Sequence, residues 1–487
     1  MLFNSVIFIT CFLPVALLGW YLLQRLKNPG FAKAFMIGMS FLFYGYYNVS
    51  YLWILIVSLA FNYCLSMLME RSSTLAIRKG LLLIGIFGNV GLLFYFKYFN
   101  FFIDNCNFFL HTNISVEKIA LPLGISFFTF QQLSFVIERY KKNAPHYSLT
   151  DYSLFVSFFP QLIAGPIVQH SEMIPQLQAR ENRRPKADQF YDGLTLFILG
   201  LSKKVLLADM LAIPVNAEYA NLQALDAPSA WLVIFMYMME LYFDFSGYCD
   251  MARGIGYLFG LRLPENFDSP FRATSVKEFW RRWHMTLSRF LTQYIYIPLG
   301  GNRKGKTRQC MNLFVVFLVS GFWHGANWTF VVWGVMHGIA VVFETVFPKL
   351  RLKWEWMNRL ITAVFVTLTF SVFRSDSLKD AVLLWKKLFA GGWTGFLPAM
   401  SNTLCVPENY ALVKFLEMVY PAGLNLLFMG CLFLLLFVSV KLICGRKAEE
   451  WIAQCGHTKA GTVCMAILFL WSFVSLSQVS VFLYFNF

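Results

Sequence analysis

Apolar runs of roughly 20 residues recur from Phe3 to the carboxyl end of the chain, parted by short polar connections. A helix needs about 20 mainly apolar residues to cross about 30 Å of hydrocarbon, so each such run predicts a membrane span. To about Tyr98 the pattern is plain spanning helix, with polar interruptions noted at Asn62 and Asn89, and it reads as scaffold. From Leu121 onward the texture changes. The segments LPLGISFFTFQQLSF (Leu121 to Phe135), FFPQLIAGPIVQH (Phe158 to His170) and the run from Arg262 to Arg308 are too short or too polar to span cleanly. Irregular backbone survives at membrane depth only inside protein or beside a water-filled cavity, so the middle of the chain should build a cavity. Ordinary spans return after His337, with a polar interlude from Gly391 to Tyr410 and a polar segment from Arg446 to Lys459. The predicted fold is all-α and polytopic. A single membrane domain over 1–487 divides into spanning helices at 1–118, a core of broken helices at 119–345 and further spans at 346–487.

Composition agrees: 58% of residues are apolar and 14% charged, against roughly 45–50% and about 25% in soluble domains. The net charge of +15 changes the picture only through its distribution. Arg25, Lys27 and Lys33 fall in the first connection, Arg71, Arg78 and Lys79 in the third, and Arg139, Lys141 and Lys142 after the Leu121 to Ile137 segment, whereas Asn48 to Ser50 carries none. This is the positive-inside pattern; it places the amino terminus outward and makes a nucleic-acid partner unnecessary. Arg446 and Lys447 put the connection before the last span inside and leave Phe482 to Phe487 outward. The run from Phe3 to Leu23 has no basic n-region and reads as a retained first span rather than a signal peptide. The basic insertion, 262–310, reads mostly as a cytoplasmic loop on anionic headgroups. Some of its arginines are candidates for pairing with a polyanionic thioester. Ten cysteines show no CxxC pair and no metal-ligand spacing, so no metal site is expected.

Candidate chemistry concentrates in SGFWHGANWTFVVWGVMH, Ser320 to His337. Ionisable side chains at membrane depth are costly and commonly functional. Gly321 and Gly325 leave room for a substrate at His324, Trp323 and Trp328 offer flat apolar walls, and Asn327 an amide. The residues alone leave His324 either a hydrogen-bonded core histidine or a general base. His337 lies thirteen positions on, about 3.6 turns of helix; on a continuous helix it faces elsewhere and reads as packing. His284, in EFWRRWHMTLSRFL with Trp280, Arg281, Arg282 and Trp283, reads as part of an interfacial amphipathic helix. It either touches headgroups or, if the segment folds back, faces His324. In FDFSGYCDMARG, Asp244 and Asp250 call for ion partners, Arg253 or the basic insertion. His111, His146 and His457 sit in polar connections, His170 ends a broken segment, and Cys249 is given no role.

Nine segments, in consistent order over nearly the whole chain, resemble the membrane-bound O-acyltransferase (MBOAT) family, in its bacterial envelope-polymer branch. They are LPLGISFFTFQQLS, FFPQLIAGPI, GLSKKVLLAD, YFDFSGYCDMARG, LPENFDSPF, EFWRRWHMTLSRFL, YIPLGGNR, GFWHGANWTFVVWG and the closing FLYFNF. Glu138 stands where the family pattern has aspartate. The resemblance implies about ten or eleven membrane helices, with re-entrant and interfacial helices around a central funnel and tunnel. It implies His324 as catalytic histidine and His284 as the second. Asn327, Trp323, Trp328, Trp280, Arg281 and Asp250 are then the candidate substrate-binding residues. The implied activity is O-acyl transfer, with acetyl-CoA as donor substrate and no bound cofactor, toward hydroxyls of an extracytoplasmic polysaccharide or peptidoglycan. Implied partners are membrane lipids and a periplasmic or surface-anchored second acyltransferase, at the cytoplasmic (inner) membrane of a bacterium. D-alanyl transfer to teichoic acid from a carrier protein is the alternative within the family. A transporter is the alternative outside it; that would call for paired broken helices in two halves, which the sequence does not show.

Overall fold

The computed structural model describes residues 1–117, 119–179, 184–393, 395, 402–404, 409–445, 447–477, 482 and 483. Arg446, residues 484–487 of the closing motif and much of the Gly391 to Tyr410 interlude therefore lie outside the described residues. Among those described the fold is all-helical, as expected, and β-pairing reduces to one isolated bridge between Phe267 and Trp283. Among the described residues, five helices are long and apolar enough to cross a membrane: Val49–Arg71, Leu75–Leu110, Trp328–Val346, Glu355–Arg374 and Leu424–Ile443. Phe8–Gln24, Gly30–Gly45 and Lys459–Val474 are shorter apolar helices. Between them lie the more polar helices Ile125–Tyr140, Ala187–Ser202, Ala227–Leu258 and Gly305–His324.

Local chemistry sets these boundaries. Asn48 opens its helix by accepting from the Ser50 amide at 2.9 Å, and Asp226 opens Ala227–Leu258 by accepting from the Ser229 amide at 3.0 Å. Both satisfy amide donors that the first helical turn leaves without partners. The long helix crosses Ala187–Ser202 through two glycine pairs. A Cβ on Gly200 would lie 2.6 Å from the Gly247 carbonyl oxygen, and one on Gly254 2.6 Å from that of Gly193. Only glycine admits so close an approach, a common device where helices associate without a hydrophobic drive.

The amino-terminal helices are joined to the core by a buried amide network. Asn62 Nδ2 donates to Asn89 Oδ1 at 3.1 Å and to Gln132 Oε1 at 2.9 Å; Asn89 Nδ2 returns a bond to Asn62 Oδ1 at 2.6 Å. Gln132 Nε2 reaches Ser58 at 2.9 Å, and the Tyr152 hydroxyl reaches Gln132 at 3.1 Å. Glu138, the departure from the family pattern, accepts from Asn143 Nδ2 at 2.7 Å and from Lys141 at 3.1 Å.

The basic insertion is more ordered than a solvated loop. Arg282 bonds Glu278 at 3.0 Å, Arg289 bonds Glu172 at 2.5 Å, and Arg272 donates to the carbonyls of Cys444 and Gly445 at 2.9 and 2.6 Å. Its middle is not one amphipathic helix either. Two short helices, Val276–Arg282 and Met285–Leu291, are separated by a sharp reversal at Trp283 and His284.

Candidate active site

His324 is the last residue of its helix, and the chain then extends at Gly325 (φ −166°, ψ 156°) before Asn327 starts the next helix. The two histidines of the motif therefore stand on separate helices, and the argument from one continuous helix does not apply. His337 is nevertheless a packing residue: Trp280 Nε1 donates to its Nδ1 at 3.2 Å, and Thr369 Oγ1 lies 3.0 Å from its Nε2. The flanking glycines serve the backbone rather than a substrate. A Cβ on Gly321 would sit 2.5 Å from the Phe330 carbonyl oxygen, and one on Gly325 2.1 Å from the Phe330 ring. These glycines let the hairpin close tightly, which brings the buried His324 ring edge-on to Trp323, Trp333 and Phe373 at 4.9, 5.1 and 5.3 Å.

His284 is fully buried inside the protein and adopts the left-handed conformation (φ 46°, ψ 52°) between the two short helices. An L-residue enters that region at a cost of about 1–2 kcal/mol, so neighbouring contacts must hold it there. Asn266, in the LPENFDSPF segment, supplies them. Its carbonyl accepts from the Met285 amide at 3.0 Å, and its Oδ1 from the Thr286 amide and hydroxyl at 3.1 and 2.7 Å. The adjoining bridge from Phe267 to Trp283 completes the hold. The His284 ring then packs against Phe245 at 4.8 Å and Trp323 at 6.0 Å. One indole thus carries both histidines. Sequence reasoning passed over Asn266, whose only signal was its place inside a motif.

The other predicted residues disperse. Asn327 caps the following helix through the Thr329 amide at 3.1 Å and donates to the Asp376 carbonyl at 2.9 Å, so its amide is already engaged. Trp328 turns outward, 44% exposed, with Nε1 on Asn105 Oδ1 at 2.9 Å. Trp280 is buried beside His337, while Arg281 is exposed. Asp250 pairs with Lys203 at 2.6 Å and lies 4.0 Å from Arg253, and Asp244 pairs with Lys204 at 2.5 Å. The carboxylate partners thus come chiefly from GLSKKVLLAD rather than from the basic insertion. Arg253 is held in turn by Glu449 and Glu265.

His324 thus ends its helix, and the buried His284 lies against the same tryptophan. Residues 41–374 match the membrane-bound O-acyltransferase family, MBOAT. The chain belongs to this family. It is 38% identical over 523 aligned positions to the peptidoglycan O-acetyltransferase of Helicobacter pylori, covering 100% of this chain and 98% of that one. It is 36% identical over 405 positions to a Pseudomonas aeruginosa protein named probable alginate O-acetylase AlgI, covering 80% and 75%. A teichoic acid D-alanyltransferase of Bacillus subtilis is 28% identical over 270 positions, covering 51% and 65%. The protein is therefore a multi-pass membrane enzyme, an O-acyltransferase.

Several hollows border these residues in the MBOAT core. The largest, 740 Å³, borders Lys203, Ser246, Cys249, Asp250 and Asn266, with an apolar wall from the carboxyl-terminal helices. An open groove of 620 Å³ runs past Trp280, Arg281, Thr286 and Arg289, and one of 340 Å³ shares Trp280 and Arg281 with it. His324 lines the smallest, 40 Å³, together with Trp323, Gly124, Ser126 and Lys97. Asn266 ties the largest hollow to the His284 turn.

Proposed function

We propose that this MBOAT enzyme moves an acetyl group from a cytoplasmic thioester, acetyl-CoA, to hydroxyls bound for peptidoglycan outside the membrane, with His324 as general base. The pairing of His324 and His284 on Trp323, far from bulk water, is the observation that carries the reading. The His324 imidazole takes the hydroxyl proton as the oxygen attacks the thioester carbonyl. The carbon–sulfur bond then breaks, and the thiolate leaves with the proton returned by the imidazolium. Positioned base assistance of this kind contributes about 10²–10⁴ in rate. His284, packed on the same indole as His324, would steady the carbonyl oxygen as it gains charge. The groove bearing the exposed Arg281 suits the phosphates of the donor.

Acetyl rather than D-alanyl is favoured because the peptidoglycan O-acetyltransferase relative aligns over the full chain, whereas the D-alanyl relative covers half of it. We place the enzyme in the cytoplasmic membrane with its amino terminus outward and its basic connections inside. A periplasmic or surface-anchored second acyltransferase would receive the acetyl group, because the relay must end on a polymer the bilayer excludes. Mass analysis of envelope polymers from cells carrying wild-type or His324→Ala protein tests the reading. Loss of O-acetyl groups at normal protein abundance is expected. Acetylation that persists in the variant refutes the base assignment, and a lost modification of another mass refutes the acetyl assignment.

A further inference from the structure

An α-helix leaves its last carbonyls without donors from within the helix. In the helix that ends at His324, three consecutive carbonyls are taken by two adjacent residues more than two hundred positions away. The Tyr98 hydroxyl donates to the Phe322 oxygen at 2.6 Å, and Lys97 Nζ donates to the oxygens of Trp323 and His324 at 2.7 and 2.9 Å. Both residues end a π-helical turn, Phe94–Tyr98, inside Leu75–Leu110. Such widened turns occur mostly as single bulges and often at functional sites. Farther along the same helix, Asn105 and Phe101 hold Trp328 through a 2.9 Å hydrogen bond and a ring contact at 5.9 Å. One helix therefore grips the chain on both sides of its break at Gly325.

A cation at membrane depth is expensive and calls for a reason. The oxygens around Lys97 are the two carbonyls and the Ser126 hydroxyl at 3.4 Å, and its position suits the negative end of the helix dipole. It also lines the 40 Å³ hollow that His324 borders. Helix ends fray unless capped. Released from Lys97, the last turn would rearrange and carry the imidazole with it.

We propose that Lys97, seconded by Tyr98, is a positioning residue for acyl transfer, holding the final turn so that the His324 ring meets the reacting hydroxyl. The proposal rests on the reading of His324 as base. It is tested in cells by following the rate at which radiolabelled acetate enters envelope polymer as base-labile ester, normalised to folded protein in the membrane. A small misplacement of a catalytic group can cost about 10² in rate, so Lys97→Met should lose about that factor per folded molecule. Tyr98→Phe, which frees one carbonyl, should lose less. Lys97→Arg, which keeps charge and two donors, should recover much of the rate, a rescue that a space-filling role does not predict. Lys97→Met at the wild-type rate per folded molecule overturns the clamp, and so does a Lys97→Arg protein as slow as Lys97→Met. If His324→Ala is silent while Lys97→Met keeps its rate, the clamp alone fails. Should His324→Ala remain active, base and clamp fall together.

Discussion

Lys204 lies buried between two carboxylates, with Nζ 2.5 Å from Asp244 and 2.9 Å from Asp209. The three side chains are not equivalent. Lys204 and Asp244 are each 2% exposed and Asp209 14%, and Asp244 also accepts from the Leu483 amide at 3.0 Å. Replacing Lys204 by methionine keeps the volume but strands two carboxylates, one of them wholly shielded. Breaking a buried pair from one side costs about 3–5 kcal/mol. Asp244→Asn is gentler, because Lys204 retains Asp209 and the amide oxygen can still accept from Leu483. The loss should be about 1.5–3 kcal/mol, the scale of one hydrogen bond to a charged group. Lys204→Met/Asp244→Asn should recover part of the single-lysine loss. Thermal unfolding of the detergent-solubilised protein gives the order directly: wild type, then Asp244→Asn, then the double variant, with Lys204→Met lowest. The reasoning fails if Asp244→Asn unfolds as early as Lys204→Met, or if the double variant gains nothing over the single one.

Two further outcomes follow from the site. Asn266→Ala removes the side-chain acceptor for the Thr286 amide and hydroxyl, so acetylation should fall well beyond any drop in abundance, whereas Asn266→Asp, which keeps the acceptor, should fall less; comparing ester content per folded molecule decides it. Gly321→Ala places a Cβ 2.5 Å from the Phe330 carbonyl oxygen, which forces the hairpin apart. Overpacking of this kind costs about 1–3 kcal/mol, readable as a lowered unfolding midpoint together with lost acetylation.

Much of this architecture could be read from the order of residues. The switch from smooth apolar runs to Pro-, Gly- and Gln-broken ones marked the core, and a histidine among small and aromatic residues marked His324. What escaped was whatever depended on a distant partner. Gly321 and Gly325 looked like space for a substrate, yet that space belongs to Phe330, across a helix break that apolar periodicity does not register. Trp328 looked like a wall of the site because it is aromatic and near, but the cap at Asn327 starts a new helix and turns it outward. Lys97 stood in plain view within FYFKYFNFF and was passed over as part of the scaffold. A lone cation in so apolar a run is the signal that would have found it.

The amide network at Asn89 and the lysine at position 97 lie on one helix, eight residues or about 12 Å apart at ordinary helical rise. Each is fixed to a different neighbour: Asn89 to Asn62, and through it to Gln132, and Lys97 to the end of the His324 helix. Inserting or deleting one residue between them would swing the far end by about 100° and let only one of the two engagements form. That stretch acts as a ruler whose length cannot drift.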